Sequence, residues 1–227
     1  MSHSSMPSDT SIAPRRRFLG GIAAGITALI AGRAATAEAE IARITSAPPA
    51  DEKWVARIKG THRQVVDCST HNDGFGIAFG LNFIDTTKAA LNIPETDFTS
   101  VVVLRHFSMP LTLNDAMWKK YKIGEVLNIT DPKTKAPAVR NIYRENIFGR
   151  PGMTYEQVMT TRPVIVTACN LALGVISGMA APKAGVTADQ AKAEWTANLL
   201  PGVNLVPSGV YAVNRAQENR CTYCNGG

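Results

Sequence analysis

The chain has 227 residues, with 24 Lys and Arg against 18 Asp and Glu, a formal net charge of +6 and four cysteines. Residues 1–37 hold four Arg and one Asp, so the 190 residues after them carry +3 with no long basic run, which gives nucleic-acid binding no support. That length suits one domain able to bury its own core without disulfides, and nothing beyond residue 37 is long and apolar enough to span a membrane.

In chain order, Arg15, Arg16, Arg17, Phe18 and Leu19 precede a weakly apolar Gly/Ala-rich run from Gly20 to Gly32, then small residues. Basic, apolar and cleavage regions in that order are the layout of an export signal. Arg15-Arg16 with Phe18-Leu19 behind them resembles the bacterial twin-arginine (Tat) motif, with cleavage expected after Ala37 or Ala39. The Tat translocase would then carry a folded protein to the periplasm. Residues 38–61 mix Ala, Pro and charge and read as a leader arm, so the domain proper is expected over 62–227.

RQVVDCS (63–69) reads as a short buried strand with Cys68 in the core, and HNDG (71–74) as a turn with Asp73 capping a helix over 75–91. TSVVVLRHF (99–107) is a β-branched run suited to a strand covered on both faces. A helix over 112–121 takes Asn114 or Thr112 as its cap. Residues 122–152 are rich in turn formers and predict a long excursion with little regular structure, of the kind that tends to be functional. Thr154 and Gln157 stand in capping-box spacing. PVIVTAC (163–169) is another buried strand, followed by helices over 170–181 and 186–200, a short strand in 201–209 and a last helix over 210–220. Strands alternating with helices argue a mostly parallel sheet with helices on both sides, a three-layer α/β/α sandwich.

Cys169 closes a strand and opens a helix. The carboxyl ends of parallel strands are where sites form, and a helix N-terminus stabilises a thiolate. His106 and Arg105, at the end of the 99–106 strand, are candidates to share that edge and supply a proton acceptor and positive charge. Asn114 and Asn170 are candidate binding residues, and His71 falls at the carboxyl end of the first strand. Cys221 and Cys224 form a C-x-x-C pair. Asn225 follows, which argues against haem attachment, and the pair comes after a helix, which argues against a thioredoxin-type centre. A short-loop disulfide, a resolving redox pair for Cys169 and half of a metal site all stay open. Zinc would draw on Cys68, Cys169, His71 or His106, and copper on His106, Met109 and a cysteine. No metal or other cofactor is assigned.

VVVLRHFSMPLTLNDAMW, VIVTACNLALGVISG and LLPGVNLVPSGVYAVNRAQENRCTY together resemble the DsrE/DsrF-like sulfur-relay family over about residues 62–224. The resemblance implies a three-layer sandwich, assembly as a homotrimer or homohexamer, and a cysteine at the end of a central strand that accepts a persulfide, the position Cys169 matches. It implies a sulfur carrier more than an enzyme with turnover of its own. The insertion at 122–152 and the export signal depart from the family pattern. The alternatives are a non-catalytic oligomeric module for a periplasmic redox partner, and a metal or cofactor binder using the terminal cysteine pair.

Overall fold

β-Branched runs with few polar residues, flanked by turn formers, favour strands that are buried on both faces. In the computed structural model, β2 (Phe98–Leu104) and β3 (Val164–Cys169) are such strands, buried along their whole length, and β1 (His62–Cys68) is buried from Val65 onward. The structure describes residues 51–227 apart from residue 146, together with residues 38, 39, 41 and 42. The expected signal peptide, with Arg15, Arg16, Phe18 and Leu19, lies outside the described residues. In the N-terminal unit, residues 1–42, the described residues Glu38, Ala39, Ile41 and Ala42 are helical and exposed.

In the second unit, β4 (Asn204–Val206) and β5 (Thr222–Asn225) complete a five-stranded sheet of order β4-β3-β2-β1-β5, parallel throughout. The helices are α1 (Phe75–Leu91), α2 (Asp115–Lys120), α3 (Ile123–Val126), α4 (Tyr155–Thr161), α5 (Asn170–Ala184), α6 (Ala188–Ala197) and α7 (Gly209–Glu218). The larger core lies on one face of the sheet, where Leu81, Trp118, Val158, Leu173 and Trp195 from α1, α2, α4, α5 and α6 meet Val66, Val102 and Val166. On the other face Ala212 and Ala216 of α7 pack with Val65, Val101, Val103 and Ile165. The chain steps from β1 to β4 with helices over one face, then returns across the opposite face through α7 to reach β5. A reversal of direction requires a change of face if every parallel crossover keeps one hand, and this produces the three layers.

Two expectations about boundaries are corrected. Residues 51–61 are not a separate arm. Trp54 is 1% exposed and Ile58 is buried beside it in the α7 core, while Glu52 takes a two-pronged hydrogen bond from Arg215. The segment after the last helix, for which no strand was expected, forms β5 and pairs with β1 from Gln64↔Thr222 to Asp67↔Asn225. Asp73 does not cap α1. It sits at φ 47° in a tight turn where its N–H donates to His71 Nδ1, and Gly74 precedes the helix.

The long excursion is irregular after α3, as its composition suggests, yet it is packed. Ile129, Ala138, Ile142, Tyr143 and Ile147 are buried in the large core. Asn141 donates from Nδ2 to the carbonyls of Leu111 and Leu113 and takes its own backbone N–H to Asp115. Gly124 fixes how closely this segment approaches, since a Cβ there would collide with backbone atoms of Ala138. Gly124→Ala is therefore expected to lower stability by about 1–3 kcal/mol, read as a shifted urea midpoint; an unchanged midpoint would show that the excursion has slack. Among the described residues no single helix is long and apolar enough to cross a membrane.

Candidate functional site

The carboxyl ends of β1, β2 and β3 lie level, with Cys68 opposite Leu104 and Leu104 opposite Ala168. The chain leaving β2 is fastened to the end of β1. Arg105 N–H and the Ser108 hydroxyl both donate to the Cys68 carbonyl, at 3.0 and 2.7 Å, and Phe107 N–H donates to the Ser69 carbonyl. That fastening holds His106 at φ 46°, a left-handed conformation that costs a non-glycine residue about 1 kcal/mol and that concentrates at functional positions.

Arg105 reaches back to Asp67, with Nε and Nη2 donating to the two carboxylate oxygens at 2.6 and 2.9 Å. Asp67 also accepts from the Tyr223 hydroxyl at 3.1 Å. Hydrogen bonding to this carboxylate holds the guanidinium above its ordinary pKa. The remaining arm, Nη1, lies 2.8 Å from His106 Nδ1. A guanidinium can only donate, so Nδ1 accepts and the proton of the neutral imidazole sits on Nε2. Each nitrogen of Arg105 thus has a partner, with three of its five N–H groups placed, and its charge is balanced by Asp67.

Cys169 is the N-cap of α5. Its backbone is extended, and Sγ accepts the N–H of Ala172 at 3.3 Å. Sγ therefore sits at the N-terminal end of a 15-residue helix with an amide N–H directed at it. The other buried thiols have no such partner. Burial pushes Cys68 up to about 12 and Cys221 up to about 11.

Cys169, Arg105 and His106 line one pocket of about 310 Å³. Its walls are Leu171, Val175, Ile176 and Met179 of α5, with Phe107 and Val210 opposite. Ser208 caps α7 by accepting the Tyr211 N–H, and Gly209 brings that helix end to the pocket. A Cβ at Gly209 would stand 2.5 Å from Arg105 Cβ and 2.6 Å from its Cδ, so any larger residue would displace the arginine or the helix.

The candidates separate cleanly. Cys169, His106 and Arg105 are brought together. Asn170 is buried in the first turn of α5 and does not line the pocket. Asn114 is a helix cap and does not line the pocket: Oδ1 accepts from Met117 N–H and Nδ2 donates to Asn198. His71 belongs to a separate cavity of about 510 Å³ beside the long excursion, where its ring stacks on Tyr143 and Nδ1 accepts from the tyrosine hydroxyl. That cavity is larger but contains no thiol.

Cys221 and Cys224 are free thiols, as are Cys68 and Cys169. The disulfide left open by their spacing is not formed, because the chain runs extended from Cys221, just before β5, to Cys224 within it. Cys221 enters the α7 core, whereas Cys224 packs on the opposite face. Residues three apart in a strand are about 10 Å apart along it, beyond the ~7 Å limit for a disulfide. The same separation prevents the pair from serving as two ligands of one metal. Met109 is fully buried, and among the described residues no three His, Cys, Asp or Glu side chains group closely enough to hold an ion. Asp67 and the apolar walls escaped sequence reasoning. A lone carboxylate in the apolar strand VVDC was the available signal for Asp67, since a buried charge needs a partner.

Compared with known proteins, the chain matches no family model, no curated protein and no solved structure, so the site rests on its own geometry.

Proposed function

We propose that this chain is an exported, DsrE-like sulfur carrier in which Cys169 accepts sulfur as a persulfide. The observation that carries this reading is the setting of Cys169 Sγ. It caps a helix, accepts an amide N–H and lines a pocket with a neutral histidine. Such a thiol is a nucleophile for sulfane sulfur. In the exchange, Cys169–S⁻ and R–S–SH give Cys169–S–SH and R–S⁻, with one S–S bond formed, one broken and no external oxidant. The Nε2–H of His106 can donate a hydrogen bond to the leaving thiolate without giving up its proton. The sequence supports the rest of the proposal: the twin-arginine segment argues for a periplasmic destination, and the family resemblance argues for a homotrimer or homohexamer.

A second reading, a binding module for a periplasmic redox partner, is favoured by one feature. Phe107, Val175, Met179 and Val210 are all at least 43% exposed and all stand around the mouth of the pocket, where an apolar patch marks an interaction surface. Intact-protein mass spectrometry on periplasmic material, before and after polysulfide treatment, separates the two. The carrier reading expects an N-terminus near Ala37 or Ala39 and added sulfur that maps to Cys169. A folded protein whose Cys169 gains no sulfur would leave only the binding module.

A further inference from the structure

We infer that the Cys169 pocket selects sulfane-sulfur compounds that have an apolar body and at most one negative charge, and discriminates against small dianionic sulfur oxyanions. This rests on the reading of Cys169 as a sulfur acceptor and adds the chemistry of the donor. Three observations converge. The volume, about 310 Å³, falls at the lower end of the ~300–1,000 Å³ typical of small-molecule sites. The walls are hydrocarbon and thioether, from Leu171, Val175, Ile176, Met179, Phe107 and Val210. The charge of the cation at the polar end is balanced, since Arg105 forms a two-pronged ion pair with Asp67 and directs Nη1 at His106.

A dianion entering this pocket would lose its hydration shell without gaining an unbalanced positive charge, and burying unpaired charge is strongly unfavourable. A monoanion with an aromatic or alkyl body loses less. It places its apolar part against the walls, and its charge near a helix N-terminus and a neutral imidazole. For a thiosulfonate the step is Cys169–S⁻ with R–SO₂–S⁻ giving Cys169–S–S⁻ and R–SO₂⁻. Sγ bonds to the sulfane sulfur, the old S–S bond breaks, and its electron pair leaves on the sulfinate.

The test compares benzenethiosulfonate with thiosulfate as donors to the folded full chain, following sulfur on Cys169 by mass spectrometry. Each rate is divided by the same donor's rate with a free small thiol, which removes intrinsic reactivity. The aromatic donor is expected to be favoured at least about tenfold, the scale on which burying a ring-sized apolar body acts. Val175→Asn and Met179→Gln change wall residues that are already 43% and 54% exposed and add no charge. They are expected to remove most of that preference while leaving the circular dichroism spectrum in place. Equal normalised rates, or a preference for thiosulfate, would overturn the inference and leave the carrier reading standing. No sulfur on Cys169 from these donors or from polysulfide would overturn both.

Discussion

In a Cys169→Ser variant, sulfur uptake is expected to fall at least about 100-fold while the thermal midpoint moves by no more than about 2 °C. The two effects separate because the side chain has two roles. As an N-cap it accepts the Ala172 N–H, and serine is among the best residues for that role. As a nucleophile it has no substitute, since a serine hydroxyl at neutral pH is not ionised. The companion measurement is alkylation of the wild-type thiols across pH 7–10. Cys68 and Cys221 have folded-state pKa values raised by burial to about 12 and about 11. At pH 8 their thiolate fractions are therefore only ~10⁻⁴ and ~10⁻³, and their labelling should rise roughly tenfold per pH unit. Cys169 should label well ahead of both. Labelling of Cys68 at the rate of Cys169 in the folded protein would refute the ranking.

Asp67→Ala carries the largest expected loss of stability, about 3 kcal/mol, or roughly 6–12 °C in midpoint for a domain of this size. The Asp67 side chain is 7% exposed and that of Arg105 is 21% exposed, so removing the carboxylate strands a guanidinium that is mostly out of water. Tyr223→Phe, which removes one neutral donor from the same carboxylate, is expected to cost only about 1 kcal/mol. Lys120→Ala breaks the exposed pair with Glu194 and should change stability by less than about 1 kcal/mol. Calorimetry on the three variants orders them. If Asp67→Ala melts no lower than Lys120→Ala, the ion pair is not what holds the β2 end in place.

What the sequence disclosed and what it concealed follow one physical line. Local signals could be read. The β-branched runs of β2 and β3 marked buried strands, and Thr154 with Gln157 forms the capping box its spacing suggested. Cys169 was legible as a strand-to-helix cysteine. Features made by distant partners could not be read. Asp67 meets Arg105 38 residues away. The apolar residues 171, 175, 176 and 179 read as one face of a helix, with nothing to say that the face is left partly open. The C-x-x-C spacing suggested proximity, and only the pairing of β5 with β1 turns it into separation. Trp54 was the one bulky signal in a Pro- and charge-rich stretch, too brief to announce a packed element.

The pairing of β5 with β1 also bears on how the molecule is made. Ser69 and Gly227 are 158 residues apart in sequence and hydrogen-bonded in the fold. Until β5 arrives, β1 presents one bare edge with Val65 and Val66 behind it. Long-range parallel pairing is slow, and an unpaired apolar strand is a template for association with other chains. A growing chain on the ribosome would have the four-stranded part of the sheet in hand while its most aggregation-prone edge stayed open, so the interval before β5 arrives is when this protein most needs a chaperone.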